Sequence, residues 1–315
     1  MEKQRTTRIT FADIARGLAV IYFMWCHTLN IHEPYIDTWA MPVFFVVMGI
    51  FFKPTVTWRE MIVKKVNTIL VPLFLLSIPS YIEYIVSIPL KEFVIRFFNP
   101  FACVHGVGWF LLCMFWCYII YYAIIRLTKY NRIWTVFICV VLSVISFYAS
   151  TQRIMGYRII LPMFISTSLT VLPFICVGDM LQEEIKRQRS KWVDFSAAFT
   201  LAAGTLGGIF LLQFHGGEFI ENWYYEQLYV SYMALSLIGT ASILYICKLL
   251  PSFMSYAGEH SLLLLMIHPY IIRILRLFGL TGIEFFVVTL IISLVLIGLL
   301  SRYLPILEGK KKIFK

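Results

Sequence analysis

Charge is scarce in this chain. Asp, Glu, Lys and Arg make up only 14% of its 315 residues, while 60% are hydrophobic. A soluble core of this length has no room for so many apolar side chains, so a soluble globular protein is excluded. Acids are scarcer than bases, 17 against 27, for a net charge of +10. Those bases cluster between apolar runs, as on the inner face of a membrane protein, so no nucleic-acid partner is expected. The seven cysteines include no CxxC pair, and their odd number within apolar runs argues against a disulfide framework. Cys113 and Cys117 share a helix face as small hydrophobes, so no metal site is expected. Cys26 and His27 are helix neighbours pointing about 100° apart, which disfavours a thiol–imidazole pair. No small-residue cleavage site follows the first apolar stretch, so a cleavable signal is not expected. Neither an internal repeat nor a soluble domain is evident.

What remains is ten apolar runs, at about 11–31, 38–52, 66–88, 106–127, 132–150, 159–181, 193–214, 228–250, 260–279 and 282–304. The second is short, and Pro72 and Pro79 predict a kink or break in the third. The expectation is an all-α integral membrane protein of about ten transmembrane helices, forming one domain over 1–315. Twenty of the 27 Lys and Arg residues fall in alternate loops on one side and six on the other, Arg16 apart. By the positive-inside rule both termini are then cytoplasmic.

Arg16 and His27 interrupt the first run, Phe11 to Ile31. Eleven positions bring a helix back to within roughly 20° of the same face, about 16 Å along its axis. Ionisable groups at that depth mark a wet or protein-lined path. The bland alternative is a snorkelling arginine and a histidine bonded to a carbonyl. A neutral imidazole suits a general base near neutral pH, and a permanent guanidinium suits a phosphate.

Asp13-Ile14-Ala15-Arg16-Gly17, ten residues before His27, resembles the Arg-x10-His signature of the membrane acyltransferase-3 family. Met41-Pro42-Val43-Phe44-Phe45 through Gly49, the Lys64/Lys65 pair ahead of Pro72, and Gly108-Trp109-Phe110-Leu111 are similar to its later motifs. So are Pro173-Phe174 with Gly178, and Gly258 with Ser261-Leu262 through His268. Together they run in order over about nine-tenths of the chain. The resemblance implies transfer of an acyl group, usually acetyl, from cytoplasmic acyl-CoA to a hydroxyl of an extracytoplasmic or lipid-linked glycan. It implies a bacterial inner-membrane location, contact with lipid and no permanently bound cofactor, with acetyl-CoA or another acyl-CoA as donor substrate. Carried onto this chain, His27 is the catalytic base or a transient acyl carrier, and Arg16 holds the donor. Some glycan-modifying members carry arginines at the start of the third span. Here Lys64 and Lys65 stand there, keeping charge for CoA phosphates without a bidentate fork.

Other polar residues have two readings each. Glu83 either orients the His27 ring or reaches surface water. His268 is either functional or a helix–helix hydrogen-bonding residue. Asp13 is expected to pair with Arg16 and support it. Arg273 and Arg276, with Arg153 and Arg158, line an outer pocket or snorkel to headgroups. Glu218, Glu221 and Glu226 with Trp223, Tyr224 and Tyr225 stack on sugars or form an interfacial belt, and His105 and Trp109 divide the same way. The rival class is a secondary transporter or lipid-glycan flippase. That requires discontinuous helices in corresponding positions of two halves, and span eight offers no counterpart to the Pro-rich span three.

Overall fold

A computed structural model describes residues 9–99, 106–151, 160–213 and 229–314. Among these residues every regular element is helical. Chain order runs α1 (Thr10–Leu29), α2 (Pro34–Ala40), α3 (Pro42–Ile50), α4 (Trp58–Lys65), α5 (Val71–Ser87), α6 (Leu90–Phe98), α7 (Gly108–Leu127) and α8 (Arg132–Thr151). It continues with α9 (Ile165–Thr170), α10 (Leu172–Met180), α11 (Gln182–Lys186), α12 (Lys191–Leu212), α13 (Tyr229–Leu249), α14 (Tyr256–Glu259), α15 (Ser261–Arg276) and α16 (Gly282–Tyr303).

Among the described residues, six helices are long and apolar enough to cross a membrane: Trp58–Ser87, α7, Arg132–Ser150, α12, α13 and α16. Helices also occupy the other four apolar runs, but α2–α3, α9–α10 and α15 are short, and Asp13, Arg16 and His27 dilute α1.

Two runs are interrupted by a single residue where proline follows in a first turn: Pro42 starts α3 after Met41, and Pro173 lies in the first turn of α10 after Val171. The third run, where a kink or break is expected, stays helical from Trp58 to Ser87 with one irregular turn. A π-helical turn, Val66–Leu70, separates α4 from α5, and Pro72 follows it in the first turn of α5. The wider turn absorbs the proline without ending the helix. A capping box starts this element: Thr57 Oγ1 accepts from Glu60 N at 3.3 Å, and Glu60 Oε2 accepts from Thr57 N at 2.9 Å.

Burial sorts centre from rim. In the apolar window of α7, 61% of residues are buried, against 11% in α12, so α12 presents its side chains outward, to lipid in a membrane. The charged helix α1 lies inside the bundle, with Ala12, Ala15, Ala19, Val20 and Met24 fully buried against α2, α3 and α13 to α16. Two crossings are backbone on backbone. A Cβ at Gly178 would overlap Val46 O, one at Gly49 would overlap Ile175 O, and one at Gly258 would overlap Asp13 O. Only glycine lets α3 meet α10, and α14 meet α1, this closely.

Candidate active site

Arg16 and His27 face two adjoining chambers along α1. His27 lines one of about 680 Å³, with Phe23, Met41, Trp109, Phe110 and Leu265 on its wall. Arg16 lines one of about 240 Å³ with Lys65, Tyr118 and Ser261, and Phe110 and Leu265 again form part of the wall. The chambers therefore meet at those two apolar side chains. Phe110 is held edge-on against Phe44 and Phe45, with ring centroids 5.1 and 5.6 Å away.

At the His27 end, the His268 ring stacks on His27 with centroids 5.4 Å apart. His268 is fully buried, and its Nδ1 lies 3.1 Å from Leu264 O. In a neutral ring that contact puts the proton on Nδ1 and leaves Nε2 an acceptor, which has no hydrogen-bond partner among the described residues. Arg276 donates to His27 O at 3.1 Å. Arg273 lines the same chamber and forms a two-pronged ion pair with Glu83. Glu83 thus reaches the chamber through Arg273; its carboxylate bonds run to that guanidinium and not to the imidazole proposed for it from sequence. Both arginines line the chamber wall. Arg153, Arg158, His105, Glu218, Glu221, Glu226, Trp223, Tyr224 and Tyr225 lie outside the described residues.

At the other end, Asp13 is buried and ion-paired with Arg16, as their spacing suggests. Arg16 Nε is buried without a hydrogen-bond partner among the described residues, so one donor of the fork is unsatisfied. Lys65, the last residue before the π turn, sets its Nζ 3.4 Å from the centroid of Tyr118.

A third chamber, of about 860 Å³, adjoins the second. Phe51, Lys65, Thr68 and Tyr118 line both. Lys53, Arg59, Lys64, Lys310 and Lys312 line the third as well, while its acid, Glu60, is spent capping α4. One-signed walls of low polarity focus the field into the cleft and make it a seat for anions.

The family model described as Acyltransferase domain matches residues 9–302. The chain belongs to the acyltransferase-3 family. No curated protein and no solved structure matches it. With its apolar helices, this is a multi-pass membrane acyltransferase.

Several residues lining these chambers were not visible as a site in the sequence. Lys53 and Arg59 read there as inner-loop charges, and Lys310 and Lys312 as a plain basic tail. Phe110 appeared only inside a motif, and nothing marked Leu265 as a shared wall. The one available signal was the Lys64-Lys65-Val66-Asn67-Thr68 segment, which departs from the arginine-rich pattern where the π turn and the third chamber occur.

Proposed function

We propose that the acyltransferase moves an acyl group, acetyl in the simplest case, from cytoplasmic acyl-CoA to a hydroxyl of an extracytoplasmic or lipid-linked glycan in a bacterial inner membrane. The observation carrying this reading is the row of three adjoining chambers, basic at one end and lined by His27 at the other. Ten crossings with both termini inside would put the basic chamber in the cytoplasm. There Lys53, Arg59, Lys64 and Lys65 take the donor's phosphates, and the pantetheine arm runs past Arg16 toward Phe110 and Leu265. Acid–base chemistry follows at His27. The imidazole takes the proton of the acceptor hydroxyl, the alkoxide oxygen bonds to the thioester carbonyl carbon, and the carbon–sulfur bond breaks. The departing thiolate recovers the proton, giving ester and free CoA. His268 holds the plane of the catalytic ring, and Arg273 and Arg276 present cations to the acceptor side.

The test is transfer of radiolabel from acetyl-CoA, together with mass spectrometry of surface glycans with and without the gene. Loss of an acyl-sized mass from one sugar is expected on deletion. His27→Ala should lower transfer by about 10²- to 10⁴-fold with membrane insertion intact. Undiminished transfer in that variant would sink the reading. A transporter reading draws support from the breaks at Met41 and Val171, the first of them beside the His27 chamber. Coupled uptake of a glycan without acylation would favour it.

A further inference from the structure

The chain past α16 does not trail away. Pro305–Glu308 forms a 3₁₀ turn, and the backbone then returns to the π turn some 240 residues earlier in sequence. Two independent contacts hold it there. Gly309, in the left-handed region at φ 66°, lies so close to the π turn that a Cβ would overlap the backbone of Asn67 and Thr68. Asn67, itself 1% exposed, then binds the chain end with every hydrogen-bonding group it has. Its Oδ1 accepts from Ile313 N at 2.7 Å and Phe314 N at 3.0 Å, while Nδ2 donates to Val63 O at 2.8 Å and Phe314 O at 2.9 Å. A buried amide with four satisfied bonds fixes a single arrangement of the segment.

The fixed segment faces the basic chamber, where Gly309, Lys310, Lys312 and Phe314 all contribute to the wall. Lys310 is partly neutralised by Glu308 at 2.5 Å. Lys312 has no carboxylate partner among the described residues, so its charge is free to act on the chamber. Lys53, Arg59 and Lys64 on the opposite segment are in the same condition. Cations held together without counter-charge repel one another unless a multiply charged anion joins them.

We propose that residues 305–314 form one wall of the seat for a phosphate-bearing donor head, with Asn67 as the positioning residue that clasps the tail and Lys312 as a phosphate contact. This rests on the acyl-CoA reading above and adds a binding element contributed by the chain end. The same chemistry would recognise an anionic lipid headgroup at this surface, so the experiment separates the two. CoA binding is measured by calorimetry on the full chain in nanodiscs of zwitterionic lipid, and phosphatidylglycerol binding in a parallel set. Lys312→Gln should weaken CoA binding about 5-fold, the worth of about 1 kcal/mol for one such charge. Asn67→Ala should weaken it at least as much, and the double variant should be no worse than Asn67→Ala alone, because both act through one tail. KM for the donor should rise with KM for the acceptor unmoved, a split that general destabilisation would not produce. Lys312→Gln removes an exposed charge and keeps the test valid if Asn67→Ala folds poorly. Unchanged CoA affinity in Lys312→Gln, with the unaltered protein binding CoA, overturns the tail's role and leaves the acyl-CoA reading standing. Absence of CoA binding in the unaltered protein sinks both, and a loss confined to phosphatidylglycerol assigns the seat to lipid and overturns the proposal.

Discussion

His27 and Arg16 differ in how they are held, and the difference suits the roles proposed for them. His27 stands on a chamber wall with a second imidazole stacked on its ring and an arginine on its own carbonyl. Arg16 is tied to a buried carboxylate, which fixes the guanidinium while leaving Nε unsatisfied. Replacing that planar fork by an ammonium loses the directed bonds and keeps the charge. Arg16→Lys is therefore expected to lower transfer by about 10- to 100-fold, the cost of one or two charge-assisted bonds, in a labelled acetyl-CoA assay. Normal activity in that variant would mean the residue acts only as a point charge. At this scale the sequence is most informative, since period and spacing alone put Arg16, His27 and Asp13 on related positions. Glu83 shows where it stopped. Its partner lies 190 residues away on α15, and no local pattern encodes that pairing.

The helices carry a second kind of information, written in glycine. Gly178 and Gly49 stand in short motifs, yet their physical role is contact between the backbones of α3 and α10. Gly178→Val would drive a branched side chain into Val46 O and force the broken helices apart, at a cost of roughly 1–3 kcal/mol or more. The expected outcome is a lower melting temperature in detergent together with lost activity. A variant as stable as the parent would show that the crossing can slide. Such crossings were not legible from apolar patterning, which tells where a helix runs and not which helix it meets. The Pro-rich third run illustrates the same gap: proline forecast a kink or break, but not the wider turn found there or that its Asn67 amide binds the tail.

Across the whole molecule, polar contacts tie distant parts of the sequence together. Arg126 donates to Val56 O at 2.8 Å, Lys248 sits 3.7 Å from Asp194, and the C-terminal segment lies on the π turn. Loop charges mark where bases cluster in the sequence; the chambers they line depend on contacts that only the fold supplies. Glu308 anchors the tail at its start. Burial by itself would raise its carboxyl, but bonds from His260, Lys310 and Ser301 reverse the effect and hold it down at about 2, against an ordinary 4.5. A depressed carboxyl stabilises the folded state fully above its ordinary value, and that contribution fades as pH falls through 4.5 toward 2. Hydrogen exchange across residues 305–314 should thus keep constant protection, after correction for the intrinsic rate, from pH 7 to 5. Protection should drop below that, and Glu308→Gln should show the loss already at pH 7. Equal protection in the variant would place the anchor elsewhere.

Phe110 and Leu265 are the apolar side chains that line both α1 chambers. Whatever travels from one chamber to the other must leave its hydration behind at that point. A small uncharged cargo can do so cheaply, whereas one ending in a carboxylate would meet a barrier of several kcal/mol. That apolar pair would then sort donors by what their far end carries, however well the basic chamber grips the common head, and trimming it should broaden the range of groups the protein hands across.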